Sequence, residues 1–144
     1  MVKAEDTVKF LANAPLFQGL NNRQLKQIAS RFVPRTYQAG EAIVKQGQSG
    51  FGMFTIIRGR VEAVLELVDG SQTVVNEFGP TDFFGEISVL DSGPRTASII
   101  AREETECLFL GHVEFISILQ QDAEMTTEIA IALAKRLRQA VRKI

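Results

Sequence analysis

FGEISVLDSGPRTAS, residues 84–98, places one carboxylate and one guanidinium close together among glycine, serine, threonine and alanine. Gly85, which precedes Glu86, can adopt backbone angles closed to other residues and lets a ligand approach the chain. We expect residues 87–90 to form one short helical turn, whose first N–H groups offer an anion site. Arg95 is the natural partner of such an anion, because its planar fork binds phosphate through two parallel hydrogen bonds.

Glu86 needs a different ligand group, because an ionised carboxylate only accepts hydrogen bonds and therefore favours hydroxyls over phosphate. A ligand that suits both side chains carries a phosphate, hydroxyls and an apolar face on one framework, as a ribose phosphate does. The alternative is that Glu86 and Arg95 neutralise each other across the turn. The spacing alone favours this structural explanation.

The composition is that of an ordinary globular chain of 144 residues, enough for a single domain that buries about two-thirds of its unfolded surface. The net charge of −1 argues against a dedicated nucleic-acid-binding protein, which usually has a strong basic excess. Cys107 is the only cysteine, so it cannot form an internal disulfide. With no apolar segment at the start or elsewhere long enough for a signal or a membrane span, we expect a cytoplasmic location.

Two helices are predicted within residues 1–36. The first covers Thr7 to Ala14. Asn21 is a candidate N-cap for the second, with Gln24 at the spacing of a capping box, and Pro34 is expected to end the pattern. The apolar face of this second helix consists of Leu25, Ile28, Ala29 and Phe32.

The apolar pattern changes to a period of two from Tyr37 to about Leu110, in short stretches separated by glycine, aspartate and proline. Asp69-Gly70 is a hairpin signal, with residues 61–67 and 73–78 as its arms. Many short strands with regular turns indicate a mainly β fold with flanking helices, namely a small antiparallel barrel or jelly roll.

The last part of the chain is predicted to be helical again, with a short helix over 113–119 and a long one that Asp122 caps and that runs to the end. An apolar stripe follows the long helix at steps of three and four: Met125, Ile129, Leu133, Leu137, Val141 and Ile144. This stripe either packs on the protein's own barrel or forms a seam for a partner helix.

Residues 84–101 resemble the phosphate-binding cassette of the cyclic nucleotide-binding domain family, whose core reads Phe-Gly-Glu, small and apolar residues, and then Pro-Arg-x-Ala. The residues that match this core are Phe84, Gly85, Glu86, Pro94, Arg95 and Ala97. The similarity extends to the family's N-terminal helices, glycine-marked turns and last helix, through residues 16–20, 46–47, 56–59 and 132–137.

The resemblance covers nearly the whole chain and implies one domain over residues 1–144. Its parts would be N-terminal helices over 1–36, a small antiparallel β-roll over 37–111 that contains the cassette 84–98, and C-terminal helices over 113–144. Two departures from the family pattern are Thr81, where many members have glycine, and Ser88, where alanine is frequent. We expect Thr81 to alter only a turn, and Ser88 to leave the role of the backbone intact while adding a hydroxyl that can contact the ligand.

The resemblance also implies a role for each cassette residue. Arg95 would take the cyclic phosphate, Glu86 the ribose 2′-hydroxyl, and the backbone at 85, 87 and 88 would complete the cradle. The expected ligand-binding residues are Val75, Phe84, Gly85, Glu86, Ile87, Ser88, Arg95, Thr96, Ala97 and Arg136. No catalytic residue, metal or cofactor is expected besides the ligand, cAMP or cGMP.

The base is less well specified than the phosphate. Thr96 is associated with guanine preference in cyclic-GMP kinases, but it also occurs in channel members that prefer cAMP and can simply begin a strand; we favour cAMP. Val75 on the hairpin, with Ala63 opposite, would give the base an apolar wall. Arg136 occupies the position from which channel members reach over the base, although it can equally belong to a solvated basic face. The adenine-reading Thr-Ser pair of the bacterial catabolite activator falls on residues 140–141, Ala and Val, so that readout is absent.

Three classes of function compete. The first is a non-catalytic cyclic nucleotide sensor whose C-terminal helix responds to ligand and contacts a second copy of the chain or an effector protein. The second is the truncated sensor of a catabolite-activator-type regulator; its DNA-reading motif would lie beyond this chain, which we expect to bind neither DNA nor membrane. The third is a metal-dependent enzyme on a similar roll, which the single histidine, His112, disfavours.

Overall fold

The computed structural model describes residues 4–142, with side chains from Asp6 onward, and contacts between them define two units. Of the described residues, the helical unit comprises 4–31 and 114–142, and the strand unit comprises 32–113. The described helices are α1 (Ala4–Ala12), α2 (Asn22–Ala29), α3 (Ser88–Asp91), α4 (His112–Gln121) and α5 (Ala123–Arg142), with a 3₁₀ turn at Pro15–Phe17. The strands are β1 (Val33–Tyr37), β2 (Ala42–Val44), β3 (Gly52–Arg58), β4 (Val61–Glu66), β5 (Gln72–Phe78), β6 (Phe83–Phe84), β7 (Ser98–Ala101) and β8 (Thr105–Gly111).

Side-chain caps start two of the helices where the sequence predicts them. At α2 the Asn21 side chain accepts a hydrogen bond from the Gln24 amide at 2.8 Å, and the Gln24 side chain accepts one from the Asn21 amide at 2.9 Å. This is the predicted capping box. At α5 the Asp122 carboxylate accepts from the Met125 amide at 2.9 Å. Both N-cap predictions are therefore confirmed.

The apolar stripe of α5 is buried only along its first half. Met125 and Ile129 are fully enclosed, whereas Leu137 and Val141 are 66% and 58% exposed. The last residue of the predicted stripe, Ile144, lies outside the described residues. The helical unit also contains an edge-to-face contact between the rings of Phe17 and Phe115, 5.8 Å apart.

The strand unit is made of two antiparallel sheets of four strands, in the orders β1-β8-β3-β6 and β2-β7-β4-β5. Side chains from both sheets form one core: Phe54, Ile56, Val61, Ala63, Phe84, Ile99, Ala101 and Cys107. The predicted fold class, mainly β with flanking helices and a long C-terminal helix, is confirmed. The predicted hairpin is also present, as β4 paired with β5.

The predicted boundary between helices and strands is wrong by four residues. The sequence assigns residues up to 36 to the helices, but α2 ends at Ala29 and β1 begins at Val33. Pro34 therefore lies inside a strand rather than at a helix end. A proline is tolerated there because β1 is an edge strand that pairs only with β8. Smaller shifts affect α1, predicted over 7–14, and α4, predicted over 113–119.

Candidate functional site

The cassette 84–98 folds as a strand end, a left-handed glycine and one helical turn. Strand β6 ends at Phe84, and Gly85 follows with φ +73°, a conformation that residues with a Cβ rarely adopt. The hydrogen bonds of the turn begin at the Val89 amide, which donates to the Gly85 carbonyl at 3.3 Å. The amides of Ile87 and Ser88 precede that bond and lie at the N-terminal end of α3.

The main chain of Arg95 is fixed from both sides by the loop that follows β2. The Arg95 amide donates to the Gln48 carbonyl at 2.8 Å, and the Gly47 amide donates to the Arg95 carbonyl at 2.8 Å. A third bond of the same length runs from the Gly50 amide to the Gly93 carbonyl. These bonds link residues more than 40 positions apart and hold the cassette's basic residue in one place.

The Arg95 side chain lies in a narrow space between glycines. Its Nη2 donates to the Gly52 carbonyl at 2.7 Å. A Cβ at Gly50 would lie 2.8 Å from its Nε, and a Cβ at Gly85 would touch its Nη1. Within the described chain, the buried Nε has no hydrogen-bond partner. Burial lowers the pKa of the Arg95 guanidinium, and the charge of Asp91 acts in the opposite direction.

Next to Arg95 is a cavity of about 360 Å³, a size within the usual range of small-molecule sites. We call it the first cavity. It is lined by Ala63, Val75, Asn76, Phe78, Phe84, Gly85, Arg95, Thr96, Ala97 and Ile99. It therefore combines a cation, two polar side chains and an apolar wall, which suits a ligand with an anionic group and an aromatic base.

The first cavity brings together six of the ten residues expected to bind ligand: Val75, Phe84, Gly85, Arg95, Thr96 and Ala97. Glu86, Ile87 and Ser88 adjoin it in sequence but are not among its lining residues. Glu86 and Ser88 are half-buried, and Ile87 is 44% exposed. Arg136 lies on α5, in the helical unit, so its reach over a base stays a prediction.

Sequence reasoning missed Asn76, Phe78 and Ile99, and the strand register explains how they join the site. Asn76 and Ile99 both pair with Ala63, one from β5 and the other from β7. A bulge follows in the hairpin: Ala63 pairs with Asn76 but Val64 pairs with Val74, which leaves Val75 as the extra residue. A bulge re-aims side chains, and here two consecutive residues, Val75 and Asn76, line the same cavity.

A metal-dependent enzyme would need His112 as a ligand, but this residue forms hydrogen bonds with the backbone. Its Nδ1 lies 2.9 Å from the Val89 carbonyl oxygen, and its backbone amide donates to the Phe51 carbonyl at 2.6 Å. Since a carbonyl only accepts, Nδ1 carries the proton. The residues that the structure describes contain no cluster of three metal-ligating side chains. No helix in the same part of the chain is long and apolar enough to span a membrane.

The sequence of the chain matches known proteins over most of its length. The family model described as the cyclic nucleotide-binding domain matches residues 34–122. The cyclic AMP receptor protein of Thermus thermophilus is 32% identical over 130 residues, which are 90% of this chain and 60% of that protein. A cAMP-dependent protein kinase regulatory subunit of Mycosarcoma maydis is 35% identical over 98 residues, 68% of this chain and 18% of that protein.

Solved structures give the same result. The N-terminal domain of a transcriptional regulator from Streptomyces coelicolor superposes with a TM-score of 0.84 at 30% identity, over 91% of this chain and 94% of that one. The regulatory subunit of a cAMP-independent protein kinase A from Trypanosoma brucei has a TM-score of 0.71 at 27% identity, over 94% of this chain and 47% of that one. The chain spans about 60% of the length of the full-length curated receptor it matches.

Proposed function

Because the chain belongs to the cyclic nucleotide-binding domain family, we propose that it is a non-catalytic sensor whose ligand is cAMP. The single observation that carries the proposal is the position of Arg95, which lines the first cavity on a cassette whose main chain is held from both sides. A half-buried guanidinium beside an apolar wall favours a ligand that is anionic at one end and aromatic at the other.

Each part of the cyclic nucleotide has a candidate partner. Arg95 and the amides of Ile87 and Ser88 would receive the cyclic phosphate, since cations and amides at the start of a turn favour anions. Glu86 would accept a hydrogen bond from the ribose 2′-hydroxyl. The base would pack against Val75, which the hairpin bulge directs into the first cavity.

The choice of cAMP over cGMP rests on the relatives. Two relatives that the chain matches are named for cAMP. Thr96 and Asn76 supply a hydroxyl and an amide beside the apolar wall, and these groups can form hydrogen bonds with either base. The kinase A whose regulatory subunit from Trypanosoma brucei resembles this chain is described as cAMP-independent, so the ligand of this chain has to be tested by titration.

The output of the sensor is proposed to run through α5. In this view the bound ligand favours a different position of the helix, with Arg136 over the base, and the two states must differ in ligand affinity. Leu137 and Val141 are exposed on α5 and would meet a second copy of the chain or an effector protein. The structure from Streptomyces coelicolor is the N-terminal domain of a transcriptional regulator, which favours a sensor that works within a longer regulator of this kind.

Calorimetric titration with cAMP and cGMP tests the ligand. We expect cAMP to bind with the lower Kd, and Arg95→Ala or Glu86→Ala to raise that Kd more than tenfold, since removing one partner of a buried charge-assisted contact costs about 2–5 kcal/mol. Arg58→Ala is the matched control, because Arg58 is an exposed arginine of the same unit that pairs with Glu104 and Glu106. Unchanged affinity in Arg95→Ala would refute the proposal.

Deuterium exchange tests the output separately from the binding. Saturating cAMP is expected to change the exchange of residues 122–144 in addition to that of residues 84–98. If only the cassette changes, the chain binds ligand without the proposed response of α5. The chain alone is expected not to shift duplex DNA in a mobility assay, with or without cAMP.

A further inference from the structure

The strand unit contains a second cavity, of about 370 Å³, and Arg95 is the only residue that it shares with the first cavity. Aromatic rings form much of it: Phe54 and Phe109, whose centroids are 4.8 Å apart, and Phe51, which is 70% exposed. A phenylalanine left this accessible beside a cavity of ligand size points to an apolar occupant. None of these three rings lines the first cavity.

The charges around the second cavity are of one sign. Arg35, Lys45 and Arg95 line it, and no aspartate or glutamate does. The Arg35 guanidinium lies over the Phe109 ring, 5.0 Å from its centroid, which keeps the cation beside the apolar surface. An occupant of this cavity therefore meets aromatic faces and positive charge together.

The basic residues of the strand unit that lie away from the second cavity differ from those that line it. Arg58, Arg60 and Arg102 each form ion pairs with glutamates. By contrast, neither Arg35 nor Lys45 forms an ion pair with a carboxylate among the described side chains, which are those of residues 6–142. The basic residues of the strand unit that lack such an ion pair are therefore those that line the second cavity.

We propose that the second cavity binds a small amphipathic anion, meaning an aromatic ring system that carries a carboxylate, sulfonate or phosphate. The rings would pack on Phe51 and Phe109, and the anionic group would pair with Arg35 and Lys45. Glutamine at either basic position removes the charge and keeps most of the side chain. Because both are surface positions, such variants are expected to fold normally.

A pair of fluorescent probes tests the proposal in the absence of any nucleotide. 1-Anilinonaphthalene-8-sulfonate carries the required charge, and N-phenyl-1-naphthylamine is its uncharged counterpart. We expect one sulfonate probe to bind per chain, with a Kd at least tenfold below that of the neutral probe. The double variant Arg35→Gln with Lys45→Gln is expected to remove this preference by raising the Kd of the sulfonate probe at least tenfold.

Two further variants make the result specific. Arg58→Gln with Lys26→Gln removes the same two charge types from exposed positions that do not line the second cavity, and should leave the Kd unchanged. Phe51→Ser should weaken both probes. Equal binding of the two probes, binding without saturation, or equal loss in the two double variants would overturn the proposal. None of these readouts depends on whether the chain binds cAMP.

Discussion

At position 85, a side chain of any size would enter the space that the Arg95 guanidinium occupies. An added Cβ would lie 2.6 Å from the Gly52 carbonyl oxygen and would also collide with Nη1 of Arg95. The backbone at Gly85 has φ +73°, which costs a residue with a Cβ about 1–2 kcal/mol. The glycine thus serves two purposes, the turn itself and the docking of the arginine.

Gly85→Ala is therefore expected to weaken cAMP binding more than tenfold as well as to lower stability, as titration and urea unfolding would measure. Gly70→Ala is the matched control, because Gly70 has φ +86° but nothing within 4 Å of its added Cβ. The control should lose similar stability and keep its affinity. If both variants lost affinity alike, general destabilisation would explain the effect and the docking role would be wrong.

Because of the buried thiol of Cys107, we expect the stability of the fold to decrease at alkaline pH. Burial raises the pKa of this thiol to about 12, and the charge of Glu106 acts in the same direction. The unfolded thiol ionises near its ordinary value of 9.0, so the stabilising difference is complete below pH 9 and disappears as pH rises towards 12. Native Cys107 should also resist thiol reagents at neutral pH, since the thiolate is the reactive form.

We expect the free energy of unfolding to decrease between pH 9 and 12, and to decrease less steeply in Cys107→Val, measured by urea titration at each pH. In the variant, some dependence of the free energy of unfolding on pH remains, because burial raises the pKa of Tyr37 as well. The two proteins are compared by how steeply this free energy falls with pH, since valine also alters packing and therefore the absolute stability. An identical slope in the two proteins would contradict the assignment to Cys107.

The turn between β5 and β6 contains a residue that is poorly suited to its conformation. Thr81 has φ +75°, although its branched Cβ disfavours this region. Hydrogen bonds on both sides maintain the turn: the Thr81 amide donates to the Ile56 carbonyl at 2.8 Å, and the Asp82 carboxylate accepts from the Gly79 amide at 2.8 Å. The turn therefore forms with threonine in place of glycine, but the positive φ of Thr81 strains the backbone.

Thr81→Gly is expected to stabilise the protein by about 1 kcal/mol, because glycine adopts positive φ without a steric penalty. Thr73→Gly, in the exposed extended strand β5, should instead destabilise it. Thermal unfolding of the two variants gives the comparison. Thr81→Gly should bind cAMP with unchanged affinity; a destabilised Thr81→Gly would mean that the hydroxyl or methyl group has a contact that outweighs the strain.

Local chemistry explains which elements could be predicted. The capping box of α2, the N-cap of α5 and the Asp69-Gly70 hairpin each depend on residues a few positions apart, and all three are present. The start of β1 could not be predicted in this way, because Pro34 is acceptable only where the strand lies at a sheet edge. The bulge at Val75 depends on register, which the residues of one strand do not specify.

In the candidate site, too, the residues of one local motif could be predicted, whereas residues that distant segments contribute could not. The cassette motif predicts that Gly85 and Arg95 bind the ligand, and both residues line the first cavity. It did not reveal that Gly50 and Gly52 surround the guanidinium, because they reach it through pairing with a segment more than 40 residues away. The motif thus predicts which residue binds the ligand, whereas the fold determines what lies around that residue.

At the scale of the whole molecule, one side chain belongs to two cavities. Arg95 lines both the first and the second cavity. If both proposals hold, the two ligands share one guanidinium, so each should weaken the other. Coupling between binding sites is reciprocal, which gives a quantitative criterion.

Saturating sulfonate probe is expected to raise the Kd of cAMP roughly fivefold or more, a typical coupling, and saturating cAMP should raise the Kd of the probe by the same factor. The effect should reach a plateau, whereas competition for one cavity would grow without limit as the probe concentration rises. The double variant Arg35→Gln with Lys45→Gln should bind cAMP normally and show no coupling. Titrations of each ligand at fixed levels of the other measure all three outcomes.

The bonds that join the main chain at Gly93 and Arg95 to residues 47–50 do not involve the guanidinium. The atoms of Arg95 that hold the loop in place are therefore different from the atoms that are proposed to bind phosphate. A variant that replaces this arginine is expected to keep these main-chain bonds, so the ligand preference of such a domain can change while the loop stays folded.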